Sequence, residues 1–275
     1  MRKTLLFFFS AVLLFAACSK EPVSEWEYTS FAVNIDEEPA VKAAGDASHV
    51  DELLVKAFDQ NGKYLDYISF TCTRITPGHF EAKGRLVRGE EYTLLFFAQK
   101  GQTYALGSDG SLSLQDFGPA SDATRDAFYA VKKVVAGESE DLSVSLKRPF
   151  ALLRFVSSAA DQEVAWEQHR LQGIRSRVEL ENVPNRMNLL TGAVSGSVKA
   201  VFAMADAPDE GDIAFVFFPA GESKSLVNAL VSVTVDDFTS VRKINSIPVR
   251  RNCQTKLEGD FLTTEGALEI TLDAD

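Results

Sequence analysis

Short apolar segments recurring about every ten residues, with Gly, Asn and Pro between them, predict an all-β chain of two tandem β-sandwiches. Three observations carry the prediction. Apolar residues alternate with polar or small ones in Phe31, Val33 and Ile35 and again in Leu142, Val144 and Leu146, the period of half-buried strands. Only one segment after the N-terminus, 161–172, reads as a helix, with Asp161 as its candidate N-cap, so there is no strand–helix alternation to build a parallel α/β sheet. Pro149, following Lys147 and Arg148, breaks the pattern midway. A proline cannot donate to a ladder and a basic pair reads as solvated, which divides the chain into 26–148 and 149–275.

The elements follow in order. Arg2 and Lys3 precede an apolar run that ends in Ala16, Ala17 and Cys18. A positive flank, a short apolar core and small residues describe a secretory signal peptide, 1–17. As a helix its thirteen apolar-region residues would span about 20 Å, short of the roughly 30 Å hydrocarbon core, so it is not a membrane anchor. A cysteine directly after the alanines predicts cleavage between Ala17 and Cys18 and acylation of the Cys18 thiol; the alternative is a plain signal peptide with a coincidental cysteine. Residues 18–25, polar and containing Pro22, form a tether. A strand at 26–35 follows. Segments 53–58 and 64–70 flank Asp59-Gln60-Asn61-Gly62, where Asn-Gly signals a hairpin. The run Leu94-Leu95-Phe96-Phe97 marks a strand covered on both faces. Beyond Pro149, strands are expected at 151–156, 174–181, 194–204, 213–218, 226–235, 241–248, 251–257 and 268–272. In 174–181, Ile174, Ser176, Val178 and Leu180 share one face, and Arg175, Arg177, Glu179 and Glu181 the other.

Composition narrows the function. The net charge is −11 and becomes two units more negative once Arg2 and Lys3 are removed; no basic stripe with interleaved aromatics is present, which argues against nucleic acid as a partner. The same acidity disfavours adsorption to anionic headgroups and leaves the lipid on Cys18 as the membrane attachment. Cys72 and Cys253 fall in different halves and are expected as free buried thiols. No catalytic constellation is legible. His49, His79 and His169 lack metal-site spacing, Ser195 is misplaced for a nucleophile elbow, and no phosphate-binding loop occurs, so an enzyme, a metal and a cofactor are not expected. Asp206, Asp209, Glu210 and Asp212 fit no calcium loop and read as a solvated turn, as does 107–111. Trp26, Tyr104 and Trp166 are candidate exposed aromatics for stacking on sugar, although nothing in the sequence groups them.

Three segments carry a family resemblance: Arg186-Met187-Asn188-Leu189-Leu190-Thr191-Gly192, Leu146-Lys147-Arg148-Pro149-Phe150-Ala151, and Ile247-Pro248-Val249-Arg250-Arg251-Asn252-Cys253-Gln254-Thr255. With the signal and Cys18 before them, their order resembles the fimbrillin-like lipoproteins, subunits and anchors of strand-exchange pili, across nearly the whole chain. Cys253 stands where that pattern has an aromatic. The resemblance implies two transthyretin-like β-sandwiches on the cell outer membrane. It also implies assembly with other fimbrial subunits by β-strand addition, in which an arginine-specific protease removes the N-terminal strand and a neighbour's strand fills the groove. In this chain the loop 36–51 contains Lys42 but no arginine. The N-terminal strand is therefore expected to stay, which suits an anchor or accessory subunit; cleavage between Lys42 and Ala43 would reverse that reading. The C-terminal segment, with Leu268, Ile270 and Leu272 on one face, is either a donated strand or the closing strand of the second sandwich. The other function to weigh is a non-polymerising surface lipoprotein that binds glycan or peptide.

Overall fold

A computed structural model describes residues 25–35, 47–138, 142–169, 174–206, 211–263 and 266–273. Ala17, Cys18, Lys42 and Ala43 lie outside them. The first half runs β1 (Trp26–Ile35), β2 (Glu52–Phe58), β3 (Phe70–Thr76), β4 (His79–Val87), β5 (Glu91–Gln99), β6 (Ser111–Ser113), β7 (Phe128–Val135) and β8 (Ser143–Leu146). Then come β9 (Phe150–Ser157), α1 (Ala159–His169), β10 (Arg175–Val183), β11 (Arg186–Asn188), β12 (Val194–Ser195) and β13 (Val198–Asp206). The chain closes with β14 (Asp212–Pro219), β15 (Ser225–Val235), β16 (Phe238–Val249), β17 (Gln254–Gly259) and β18 (Leu268–Leu272).

The architecture is all-β, as the alternation predicts. One sheet has the order β3-β4-β1-β8 and faces another of order β2-β5-β7. In the second half, β14-β9-β17-β18 accompanies β13-β10-β15-β16, while a small sheet β12-β11-β6 ties residues 111–113 to the second half. Phe31, Val33 and Ile35 of β1 meet Phe80, Ala82 and Leu86 of β4 and Leu94 and Phe96 of β5 in one buried core. The Phe31 and Phe96 rings pack edge-on, 5.4 Å apart. Leu95 and Phe97, pointing the other way from β5, join a larger core with Phe150, Leu152, Phe202 and Phe218 that is continuous across residue 149. This explains why 94–97 has no polar face. Each Val, Leu, Ile or Phe side chain so buried contributes about 1.5–3 kcal/mol.

The structure also departs from the sequence reading. The Asn-Gly turn forms, with Gly62 at φ +77° and Asp59 Oδ1 accepting from the Asn61 and Lys63 amides. The return limb is not a strand, however: only Tyr64 bridges to Phe58, because the chain then crosses to the facing sheet, burying Leu65 and Ile68 on the way. The expected strand at 194–204 splits into β12 and β13 around Gly196 at φ +82°. Arg148 is buried, not solvated, and so is Pro149. The turn 107–111 is not simply surface either, since Gly110 is buried and its carbonyl accepts from the Leu189 amide.

The helix begins two residues before the predicted start, and Ser158 rather than Asp161 caps it, its hydroxyl accepting from the Asp161 amide at 3.2 Å. Asp161 instead turns inward. Its carboxylate accepts from the amides of Phe261, Leu262 and Thr263 at 2.7–2.9 Å and from the hydroxyls of Ser157 and Thr263. An Asp161→Ala variant orphans those buried amides, and urea titration is expected to show a loss of about 2–4 kcal/mol.

Candidate functional site

Three places hold the residues that the sequence singles out. The first is the slot that β1 occupies. Although β1 is the first strand among the described residues, it is interior to its sheet: Trp26 to Asn34 pair antiparallel with β4, while Ala32 to Ile35 pair parallel with β8. Beside residues 27–30, where no β8 partner is present, runs a groove of about 140 Å³ lined by Leu86, Val134, Ala136 and Leu142 among others. The absence of β1 would separate β4 from β8 and open Phe80, Ala82 and Leu86 to water.

The second is β18, the edge strand of its sheet, paired antiparallel with β17 alone from Thr255↔Leu272 to Gly259↔Leu268. Leu268 and Leu272 are half-buried and Ile270 is exposed. The strand is thus attached mainly through its main chain.

The third is a cleft of about 520 Å³ at which the three family-like segments meet, lined by Lys147, Arg148, Leu189, Thr191, Arg251 and Asn252 among others, with Tyr129 and Glu222. Arg251 is buried, and its guanidinium donates to the carbonyls of Ala220 (2.9 Å) and Gly192 and to the Tyr129 hydroxyl (2.7 Å), with Glu222 3.5 Å away. It thereby ties β7 to the turns at 189–192 and 220–222. Arg148 Nε donates to Asp126 Oδ2 at 2.5 Å, both side chains almost wholly buried, and the guanidinium lies 5.0 Å from the Phe128 ring. Burial raises the Asp126 carboxyl above the usual carboxylate range, a shift that Arg148 opposes. Burial likewise raises the Tyr129 phenol, opposed by Arg251. Asn252 sits at φ +55°, where asparagine is favoured; its Oδ1 accepts from the Arg148 amide and its own amide donates to the Phe150 carbonyl. These donors are engaged within the protein, so the cleft is a joint between the halves. Sequence reasoning noted the segments but missed Tyr129 and Asp126, since nothing local distinguishes a buried arginine or its partner.

The other candidates separate. Tyr104 is buried, its hydroxyl donating to the Arg125 carbonyl, while Trp26 and Trp166 are exposed and Trp26 packs against Tyr67 instead. Asp212 pairs bidentately with Arg154 at 2.7 and 2.9 Å; residues 207–210 are not among those described. His79 bonds Asn34 and His49 contacts the Asp126 carbonyl; the His169 side chain lies outside the description. Among the described residues, no three His, Cys, Asp or Glu side chains cluster to hold a metal, and no helix is long and apolar enough to cross a membrane.

Cys72 and Cys253 form no disulfide; Cys72 is half-buried, and Cys253 is buried and accepts from Arg250 Nε at 3.0 Å. Burial pushes the Cys72 thiol up to about 11. At pH 8 its thiolate is on the order of one part in a thousand, so a colorimetric thiol assay is expected to proceed slowly on the native chain and rapidly for both cysteines in denaturant.

Comparison with known proteins fits this geometry. The model of a family of unknown function, DUF6562, matches residues 24–275. No curated protein matches the chain. Among solved structures, a candidate cell adhesion protein from Bacteroides ovatus is 15% identical with a TM-score of 0.51, the alignment covering 90% of this chain and 97% of that one. Candidate polysaccharide-binding proteins from Bacteroides thetaiotaomicron give 12%, 0.52, 89% and 97% in the same order. The tip fimbrial protein Mfa3 from Porphyromonas gingivalis, with a C-terminal truncation, gives 10%, 0.50, 90% and 99%. At such identities the likeness is one of fold: the chain shares the fold of these cell-adhesion, polysaccharide-binding and fimbrial proteins.

Proposed function

The chain belongs to the DUF6562 family, and we propose that it is a fimbrial component held on the outer membrane by lipid on Cys18, an anchor or accessory subunit contributing to adhesion. It acts by binding and not by catalysis. Its two sandwiches, 26–148 and 149–275, meet at the cleft of Arg148 and Arg251. It keeps β1, since the loop after that strand offers Lys42 and no arginine, and it joins its neighbour by donating β18. One observation carries this reading: β18 is an edge strand whose alternating Leu268, Ile270 and Leu272 are incompletely buried at home, so a neighbour's groove can bury them better.

Deletion of residues 267–275 tests it. The expected product is a folded monomer that no longer forms a ladder in unboiled surface extracts probed with antibody to this chain. Loss of folding would assign β18 to the closing role alone.

A further inference from the structure

The outer face of the first sheet carries aromatics that no core uses. Trp26 and Tyr28 lie two residues apart on β1 and are 39% and 79% exposed. Arg85, the β4 residue directly opposite Tyr28, sets its guanidinium 5.8 Å from the Trp26 ring and 5.3 Å from the Tyr28 ring. Tyr67, 65% exposed, packs edge-on against Trp26 at 6.4 Å. Three large rings and a cation therefore form one continuous surface that no part of the described chain covers.

Its charge is as unusual as its apolarity. Neighbouring cations are occupied: Lys83 pairs with Glu81, and Arg88 lies 3.9 Å from both Glu25 and Glu27. Arg85 has no carboxylate partner among the described residues. On a chain of net charge −11, this leaves a local positive site with its N–H donors free for an anionic oxygen.

Position selects the occupant. Only seven residues, 19–25, separate Cys18 from Trp26, and a fully extended chain of that length reaches no more than about 25 Å. Tryptophan and tyrosine, apolar with one polar atom, favour the membrane–water boundary, and arginine binds lipid phosphate. We propose that Trp26, Tyr28, Tyr67 and Arg85 form a membrane-facing patch that rests in the headgroup layer beside the acylated Cys18 and fixes the orientation of the sandwiches above it. The inference rests on the lipid-anchor reading given above. It adds a second, oriented contact to a lipid that alone would let the protein swivel.

The test uses the mature acylated chain with Trp166→Phe, which leaves Trp26 as the sole tryptophan. It is reconstituted into vesicles of phosphatidylethanolamine and phosphatidylglycerol, with and without bromine on the acyl chains near the headgroup. Flotation reads the anchor and Trp26 emission reads the patch. The expected result is flotation, blue-shifted emission, and at least about twofold quenching by brominated lipid. Adding Tyr28→Ser and Arg85→Glu should abolish the quenching while flotation persists. Flotation with emission unchanged by bromine overturns the patch, and emission that responds instead to added oligosaccharide assigns it to glycan. Failure to float overturns the anchor reading and the patch with it.

Discussion

Replacing Phe31 by alanine is expected to lower stability by about 3–5 kcal/mol in urea or thermal unfolding, among the largest effects of any single truncation in the first half. The ring is fully buried, packs 5.4 Å from Phe96 and 6.2 Å from Phe70, and lies midway along β1 between its own sheet and the facing one. Removing 26–35 altogether goes further. The first sheet then loses its link between β4 and β8, and the chain should show a partly unfolded first half by hydrogen exchange. A synthetic peptide of sequence 26–35 should restore protection, because the slot reads only main-chain register and the alternation of Phe31, Val33 and Ile35. A chain without β1 that is as protected as the intact one would show that the slot is not formed by this strand.

The second large effect concerns Arg148. Substituting methionine leaves the Asp126 carboxyl buried and unpaired, with an expected loss of about 3–5 kcal/mol at neutral pH. The sign of the pH dependence follows from the carboxyl. Burial already raises it above the ordinary carboxylate value of 3.8, and losing Arg148 raises it further. The folded variant thus holds a proton that the unfolded chain has released. Its deficit should be smallest below about pH 3.8 and should grow as pH rises through the folded-state value. The double variant Arg148→Met with Asp126→Asn should recover most of the loss, since no charge then remains buried. A deficit independent of pH, or no recovery in the double variant, would mean that Arg148 does not compensate a buried Asp126 charge.

Sequence alternation reveals β1, β8, β10 and β15 because buried residues recur at every second position, as in Phe31, Val33 and Ile35 or Ser176, Val178 and Leu180. It conceals β4 for a physical reason: the inward positions of His79–Val87 include Ala82 and Gly84 between Phe80 and Leu86, so the apolar signal is diluted. A Cβ on Gly84 would come within 2.6 Å of the Phe70 ring, which fills that space from β3. The small residue is required by a partner fourteen positions earlier in the sequence and directly opposite it in the sheet, which no local pattern records. The same holds for the cleft. Arg148 and Arg251 look like surface residues until Asp126, Tyr129 and the 189–192 turn are brought to them. The Leu268, Ile270 and Leu272 alternation, by contrast, is legible because an edge strand is specified by its own period alone.

Mass spectrometry of the N-terminal peptide of the protein at the cell surface tests the account most directly. The expected species begins at an acylated Cys18 and continues unbroken through Trp26–Ile35 into the loop containing Lys42. A chain whose first residue is a free Ala43 would mean that the N-terminal strand is removed and replaced, and that the protein is a polymerised subunit and not an anchor.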